Sequence, residues 1–324
     1  MALALRRKDR EMTKMDNERP PVSGSKHESR IVRPTRRFAV LLGFLLKVEA
    51  DAIFHQQPYE TINGLDPLEL WRQCEGRRVD LPPLGLAHLE ALPSSLSSLI
   101  QAVKERETYK QYYEVVADYS FMAVPIASLI TPQWFADLDF VDEIVSASGK
   151  DMDIEQQLLF AMSEGKITEP IVTGNQVLFT SPRRDLFARP VPSVRETSEG
   201  EFEIVIRAAS RPNYIQVAVV ENRLLLTNGV HKVCALHKMG YTHCVCVVRQ
   251  VNDLAEAGID QRQTTLFRDA IFKSGRPALV TDFLNPLAAA PLTMRAMYQV
   301  LQITFNVGTI TVPALSKNQA SQGS

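Results

Sequence analysis

The residues best suited to chemistry lie in one short segment, Asn228-Gly-Val-His-Lys232, which follows an apolar run directly. If a helix begins at the glycine, its first backbone N–H groups have no partner inside the helix, and those groups and the helix dipole favour a bound anion such as phosphate. Because the dipole disfavours a cation in the first turn, Lys232 implies that an anion offsets its charge. We therefore predict a phosphate site formed by Asn228, Gly229, His231 and Lys232. The alternative is an ordinary tight turn, with a solvated lysine and a histidine that caps the helix or packs on the sheet.

Two strands and a helix must position this segment. The apolar run Leu224–Thr227 predicts a strand, and the residues from Val230 to Met239 predict a helix, with Gly240 as its left-handed cap. The valine- and cysteine-rich run Cys244–Val248 predicts a further strand of the same sheet. If this unit forms, the segment should border a concave surface, since ligand sites are concave.

Carboxylates beside the site would decide whether the protein catalyses a reaction or only binds. Glu164, the middle residue of a Ser-x-Gly motif, and Glu169, which follows that motif, are the candidate catalytic residues, either as an acid/base pair or as metal ligands. Solvated carboxylates at a helix end are the alternative for both.

Two further clusters contain possible metal ligands. The first is acidic and could hold Mg²⁺, although acids are also expected where a helix begins: Asp137, Asp139, Asp142 and Glu143. The second has the residue types of a zinc site: Cys234, His237, His243, Cys244 and Cys246. Its members lack the close Cys-x2–4-Cys hairpin of structural zinc sites, and buried thiols between neighbouring elements explain them equally well. We assign no metal ligand.

Composition bounds the class of protein. The chain has 324 residues, 45% hydrophobic and 23% charged, with a formal net charge of −1, values typical of a globular protein. Residues 1–37 hold eleven Lys/Arg against five Asp/Glu, so we predict a disordered basic arm over 1–35, with contact to nucleic acid or an anionic partner as the alternative.

Four cysteines favour a reducing cytoplasm. The apolar run Phe38–Leu46 is too short to span a membrane, so it predicts a buried strand or short helix.

The remaining pattern predicts a mixed α/β (α+β) protein. We expect a helical N-terminal region over 36–114, an α/β core over 115–250 and a small C-terminal extension over 251–324. Within the core, a strand near Val124 should lie at a sheet edge because of Pro125, and a helix should run from Ile154 to Met162. A strand over Glu169–Thr173 and a long insertion over 174–212, with one hairpin and several arginines, should follow.

The order of these elements and two motifs resembles the ParB/sulfiredoxin-like domain over about residues 120–250. The first motif is matched by Ser163, Gly165, Pro170, Ile171 and Val172. The second, Gly-x-His-basic followed by an Ala-Leu helix, is matched by Gly229, His231, Lys232, Ala235 and Leu236. In that family the second motif faces nucleotide phosphates, so the resemblance implies the same ligand here.

Three departures from the family pattern argue against sulfinic-acid reduction and against a classical chromosome-partitioning function. Val230 stands where sulfiredoxin has its catalytic cysteine, so we expect no sulfinic-acid reduction. Lys232 replaces an arginine, and residues 251–324 show no helix-turn-helix pair of the kind found in chromosome-partitioning members. The resemblance implies a bacterial cytoplasmic protein that binds a nucleoside triphosphate, with Mg²⁺, and controls contacts with DNA or a protein partner. Alternatives are a metal-dependent nuclease or phosphotransferase that uses the same turn with Glu164 or Glu169, and an inert interaction scaffold.

Overall fold

The computed structural model describes residues 35–56, 59–60, 66–85, 88–113, 118–149, 151–164, 169–181, 186–188, 193–198, 201–259, 269–296 and 299–309. The predicted basic arm lies outside these residues apart from Thr35, and so does Gly165. The described residues, from Thr35 onward, belong to one compact unit.

The fold is mixed α+β, as predicted. The α-helices among the described residues are α1 (Lys47–Gln56), α2 (Pro67–Arg77), α3 (Ser97–Lys104), α4 (Glu107–Tyr112), α5 (Leu138–Ala147), α6 (Ile154–Ala161), α7 (Val230–Lys238) and α8 (Asp269–Phe272). The first strands are β1 (Thr35–Val40), β2 (Tyr59–Glu60), β3 (Glu90–Ala91), β4 (Ser120–Pro125), β5 (Leu129–Ile130), β6 (Phe135–Asp137), β7 (Ile171–Thr173), β8 (Gln176–Ser181) and β9 (Leu186–Ala188). The others are β10 (Ser193–Ser198), β11 (Glu201–Val205), β12 (Ala208–Ser210), β13 (Gln216–Val220), β14 (Arg223–Asn228), β15 (His243–Val251), β16 (Ala290–Arg295) and β17 (Gln299–Thr304).

A six-stranded sheet forms the centre, with the strand order β3-β4-β15-β13-β14-β5. The predicted strands Leu224–Thr227 and Cys244–Val248 are confirmed as parts of β14 and β15 in this sheet. β13 separates them, antiparallel to β14 and parallel to β15. The predicted edge position of β4 is wrong, because β4 pairs with both β3 and β15; Pro125 is tolerated as the last residue of the strand.

A second, four-stranded sheet joins distant parts of the chain in the order β2-β16-β1-β6. β1 pairs antiparallel with β16 along its whole length, from Thr35 opposite Arg295 to Val40 opposite Ala290. The predicted N-terminal region is therefore not purely helical, since it begins with a central strand of this sheet, and the predicted C-terminal extension supplies that strand's partner. The apolar run after β1 turns into a short 3-10 helix, Leu42–Phe44.

Three small sheets lie in and beside the predicted insertion: β17-β8-β7, β10-β11 and β12-β9. β7 carries Ile171 and Val172 of the first family-like motif, and within the described residues it pairs with β8 outside the central sheet. The two motifs that suggest the ParB/sulfiredoxin-like domain thus lie on different sheets.

The hydrophobic core lies between the central sheet and the helices α6 and α7. Leu158 of α6 and Leu236 of α7 are fully buried, as are Val245 and Val247 of β15. The predicted helix Ile154–Met162 is confirmed over Ile154–Ala161. None of the helices in the described part of the chain combines the length and apolarity that a membrane span needs.

Candidate functional site

The predicted turn between strand and helix is present, and its glycine is required by geometry. Gly229 is the N-cap of α7 and has a φ of +96°, in the left-handed region. A Cβ atom at this position would lie 2.9 Å from Cα of Ile215, so the backbone of the turn closely approaches the residue that precedes β13. α7 covers the predicted Val230–Met239 helix to within one residue, and Gly240 has the expected positive φ of +95°.

The turn forms part of the wall of a cavity of about 610 Å³. The cavity lies where the central sheet and the four-stranded sheet meet, because β1, β6, β13, β14 and β16 all contribute to its lining. Its aromatic lining residues are Phe38, Tyr112, Tyr113, Tyr119, Phe135 and Phe140. The prediction that Asn228, Gly229, His231 and Lys232 border a concave surface is confirmed.

Among the described residues that line this cavity, cations outnumber carboxylates. The cationic side chains are Arg36, Arg211, Lys232 and Arg295, against Asp137 and Glu143. Arg36 pairs with both carboxylates, through Nε to Asp137 at 2.7 Å and through Nη2 to Glu143 at 2.9 Å. Burial alone would lower the pKa of Arg36, but the hydrogen bonds and charges of its two partners raise it above the ordinary value. Arg36 is therefore held as a cation on the cavity wall.

Lys232 does not need an external anion, which corrects the inference from the helix dipole. Its side chain is buried, and Nζ donates to the carbonyl oxygens of Ala161 at 3.3 Å, Ser163 at 3.4 Å and Asn213. The ammonium also lies 5.7 Å from the ring centroid of Phe160. Two of these carbonyls belong to the C-terminal end of α6, where the helix dipole favours a cation. The unfavourable dipole of α7 is offset by the favourable dipole of α6.

His231 and Asn228 both make hydrogen bonds that shape the turn. The Nε2 atom of His231 accepts a hydrogen bond from the backbone N–H of Asp137 at 3.0 Å, so this nitrogen carries no proton. The imidazole also meets the ring of Phe140 edge to face, with centroids 5.3 Å apart. On the other side of the turn, Nδ2 of Asn228 donates to the carbonyl oxygen of Pro212 at 3.1 Å.

The structure does not bring Glu164 and Glu169 to the cavity, and the residues that line it include neither. Glu164 is exposed, and its Oε1 accepts hydrogen bonds from the hydroxyl groups of Thr108 and, at 3.4 Å, Tyr214. Glu169 is exposed as well, two residues before β7. Neither carboxylate lines the cavity, and their role as catalytic partners of the turn stays a prediction.

The acidic cluster forms ion pairs instead of a grouped oxygen site. Nε of Arg37 contacts Asp139 at 2.7 Å, and Nη2 of Arg37 contacts Asp142 at 2.8 Å. Asp142 also pairs with Lys238. The hydrogen bond from Lys238 and, to a lesser extent, the one from Arg37 lower the pKa of Asp142. Within the described ranges, no group of three or more His, Cys, Asp or Glu side chains is arranged to hold a metal ion.

The cysteines near the turn are buried packing residues. Sγ of Cys234 points to the carbonyl oxygen of Val280 at 3.9 Å, and burial raises the pKa of this thiol to about 12. Sγ of Cys246 donates to the carbonyl oxygen of Met122 at 3.8 Å, while Cys244 is fully buried beside it on β15. These contacts account for the three cysteines of the zinc-like set.

Sequence reasoning missed the arginines that give the cavity its charge. Arg36 and Arg295 reach it because β1 and β16 pair, and Arg211 precedes β13. No local pattern connects these positions with the turn. The arginines of the predicted insertion do not line the cavity. Arg195 pairs with Glu203 across the β10–β11 hairpin, and Arg183, Arg184 and Arg189 lie outside the described residues.

Comparison with known proteins gave no relative. No protein-family model, no curated protein and no solved structure matches this chain. Its function is therefore inferred from the cavity and its lining.

Proposed function

We propose that this protein binds a nucleotide in the cavity beside the Asn228–His231 turn. The observation that carries the proposal is the cavity itself, which combines a volume of about 610 Å³ with aromatic walls and an excess of cationic side chains. Ligand cavities typically measure about 300–1,000 Å³ and place a few polar groups on a mainly apolar wall. A nucleotide has matching parts, since its base can stack on aromatic rings and its phosphates attract arginines.

The phosphate groups would face the arginines more than Lys232. The charge of Lys232 is directed toward backbone carbonyl oxygens, and that of Arg36 is shared with Asp137 and Glu143. The other cations of the lining are Arg211 and Arg295, both exposed. A guanidinium group offers two parallel N–H donors to phosphate oxygens, a geometry that an ammonium lacks. The first N–H groups of α7 would add to this attraction.

Binding is favoured over catalysis at this site. Glu164 and Glu169, the acids proposed for a nuclease or phosphotransferase, are not part of the cavity lining, and Asp137 and Glu143 are engaged with Arg36. Mg²⁺ would then enter with the phosphates of a nucleoside triphosphate. The resemblance to the ParB/sulfiredoxin-like domain supports the same ligand, because that family directs its Gly-x-His-basic turn at nucleotide phosphates. A ligand on this turn would contact His231, which is hydrogen-bonded to Asp137 and through it connected to β1 and α5. Binding could shift these elements and so change the contacts of the protein with DNA or a protein partner.

Calorimetric titration with ATP and CTP, with and without Mg²⁺, tests the proposal, with adenosine as the ligand that lacks phosphate. We expect both triphosphates to bind and adenosine to bind at least tenfold more weakly. Arg295→Glu should weaken binding of the triphosphates by about tenfold or more, the equivalent of about 1.4 kcal/mol. The control Arg72→Glu reverses an exposed charge on α2, outside the cavity, and should leave affinity unchanged. Failure of the parent protein to bind either triphosphate would refute the proposal.

A further inference from the structure

Two sets of aromatic rings line the same cavity as the Asn228–His231 turn. We call them the tyrosine lobe and the phenylalanine lobe. The tyrosine lobe consists of Tyr112, Tyr113 and Tyr119. The phenylalanine lobe consists of Phe38, Phe135 and Phe140.

The tyrosine lobe adjoins the Asn228 end of the turn. Gln216 is the register partner of Asn228 in the β13–β14 pair, and its Nε2 donates to the hydroxyl oxygen of Tyr119 at 3.1 Å. The side chain of Asn228 donates to Pro212, the residue after Arg211. The Asn228 end of the turn is therefore connected to the ring of Tyr119 through Gln216. It is connected to Pro212, the neighbour of Arg211 in sequence, through a hydrogen bond.

The phenylalanine lobe adjoins the His231 end. The ring of Phe140 contacts the imidazole of His231, and Phe38 is the register partner of Asp137, whose N–H donates to that imidazole. The rings of Phe38 and Phe135 meet edge to face with centroids 5.8 Å apart.

Arginines accompany this second lobe. Arg36 lies two residues before Phe38 on β1 and pairs with Asp137. Arg295, at the end of β16, is the register partner of Thr35, the residue before Arg36. Aromatic rings and an arginine thus occur together at each end of the turn, and the helix N-terminus between them favours phosphate.

We infer that the ligand consists of two nucleosides joined through phosphate, with one base in each lobe and the linking phosphate at the turn. The inference rests on the proposed nucleotide-binding function and deepens it by naming the ligand class. Stacking on aromatic side chains tolerates any base, because every base has a π-face. A mononucleotide would fill one lobe and leave the other without a base. A phosphodiester, as in single-stranded nucleic acid, and a pyrophosphate, as in a free dinucleotide, share this chemistry.

Titration with three probes tests the inference: AMP, 5′-phosphorylated d(ApA) and NAD⁺. The ring variants are Tyr119→Leu for the tyrosine lobe and Phe140→Leu for the phenylalanine lobe. Tyr112→Leu and Phe135→Leu replace them if thermal melting shows that either of the first two is unfolded. The control is Phe202→Leu, because Phe202 is an exposed ring on β11 that does not line the cavity.

We expect the better of the two-base probes to bind at least about fivefold tighter than AMP, since one stacked base contributes at least about this factor. Each ring variant should weaken that probe by about fivefold or more, whereas AMP should lose affinity in only one of them. A preference for d(ApA) over NAD⁺ would assign the phosphodiester source, and the reverse preference the pyrophosphate source.

Two results separate failure of this inference from failure of the proposed function. If AMP binds as tightly as both two-base probes, or if neither probe is sensitive to both lobes, the two-lobe inference is overturned while nucleotide binding stands. If AMP, ATP and CTP all fail to bind the parent protein, the proposed function falls and the inference falls with it.

Discussion

The imidazole of His231 and the backbone N–H of Asp137 are joined by a 3.0 Å hydrogen bond that links the first turn of α7 to the N-cap of α5. The carboxylate of Asp137 makes two further contacts: Oδ1 accepts from the N–H of Phe140 at 2.9 Å, and Oδ2 pairs with Nε of Arg36 at 2.7 Å. Three elements that line the cavity, β1, α5 and α7, are thereby held together by one short chain of polar contacts.

His231→Phe tests this connection, because it removes the acceptor and retains a ring that can face Phe140. The N–H of Asp137 would lose its partner in a part-buried site, so we expect a loss of about 1–3 kcal/mol in the free energy of unfolding. Urea denaturation measures the change. His88→Phe, at an exposed position, is the control and should stay within about 0.5 kcal/mol of the parent. Similar losses in both variants would contradict the assigned role of His231.

Gly229→Ala and Gly240→Ala form a matched pair, since both glycines have nearly the same positive φ, +96° and +95°. Alanine should cost about 1–2 kcal/mol at either position because of the left-handed conformation. At Gly229 the new methyl group would also meet Cα of Ile215 at 2.9 Å, whereas Gly240 faces open space. Thermal or urea unfolding should therefore show a clearly larger loss for Gly229→Ala. Equal losses would mean that the close approach to Ile215 is not limiting.

Lys232 should be important for stability. In Lys232→Met the carbonyl oxygens of Ala161 and Ser163 lose a charged donor, so we expect a loss of about 2–3 kcal/mol in the free energy of unfolding. Lys232→Glu should destabilise the protein more, because it directs a carboxylate at carbonyl oxygens in a buried site. Equilibrium unfolding of both variants measures this. A Lys232→Glu protein as stable as the parent would contradict this buried role of Lys232.

Acid should weaken the contacts that α5 makes with α7 and β1. Hydrogen bonds from Lys238 and Arg37 lower the pKa of Asp142 in the folded protein. The stabilisation is therefore present above the ordinary aspartate pKa and is lost as the pH falls through the folded value. Urea unfolding at a series of pH values from neutral into the acid range should show a shallower acid loss for Asp142→Asn than for the parent. Because Asp142 is partly exposed, high salt should reduce the difference.

Asp80→Asn provides the control for this acid series, since Asp80 is an exposed residue outside the Arg37–Lys238 network. Its acid dependence should match that of the parent protein. If the Asp142→Asn variant lost as much stability in acid as the parent, other carboxylates would account for the acid sensitivity of the fold.

All four cysteines should resist thiol reagents in the folded protein. Each is buried, and burial raises the pKa of Cys234 to about 12, so little thiolate forms at neutral pH. Reaction with Ellman's reagent at pH 8 should detect none of the four thiols within minutes in native protein and all four in urea. Rapid labelling of Cys234 in the native state would contradict its buried position, and it would reopen the sulfinic-acid chemistry that Val230 argues against.

The sequence by itself determined the local structure around Gly229. The β14 run, the helix to Met239 and the cap at Gly240 were predictable because strand and helix periods and glycine caps are properties of neighbouring residues. The mixed α+β class follows from the same local signals. The position of the turn on a concave surface also followed, since a strand, a tight turn and a helix leave the turn at the margin of the sheet.

Only the tertiary structure decided which side chains meet at the turn. Arg36 and Arg295 reach the cavity through the β1–β16 pairing, whose register joins positions about 260 residues apart. The sequence around Lys232 is compatible with a solvated lysine and with a buried one. The lysine is buried because the carbonyl oxygens at the end of α6 accept hydrogen bonds from its ammonium group. Glu164 likewise belongs to a motif in sequence but is not among the residues that line the cavity. Short-range patterns encode helices, strands and caps, but long-range strand register and helix packing determine the composition of the site.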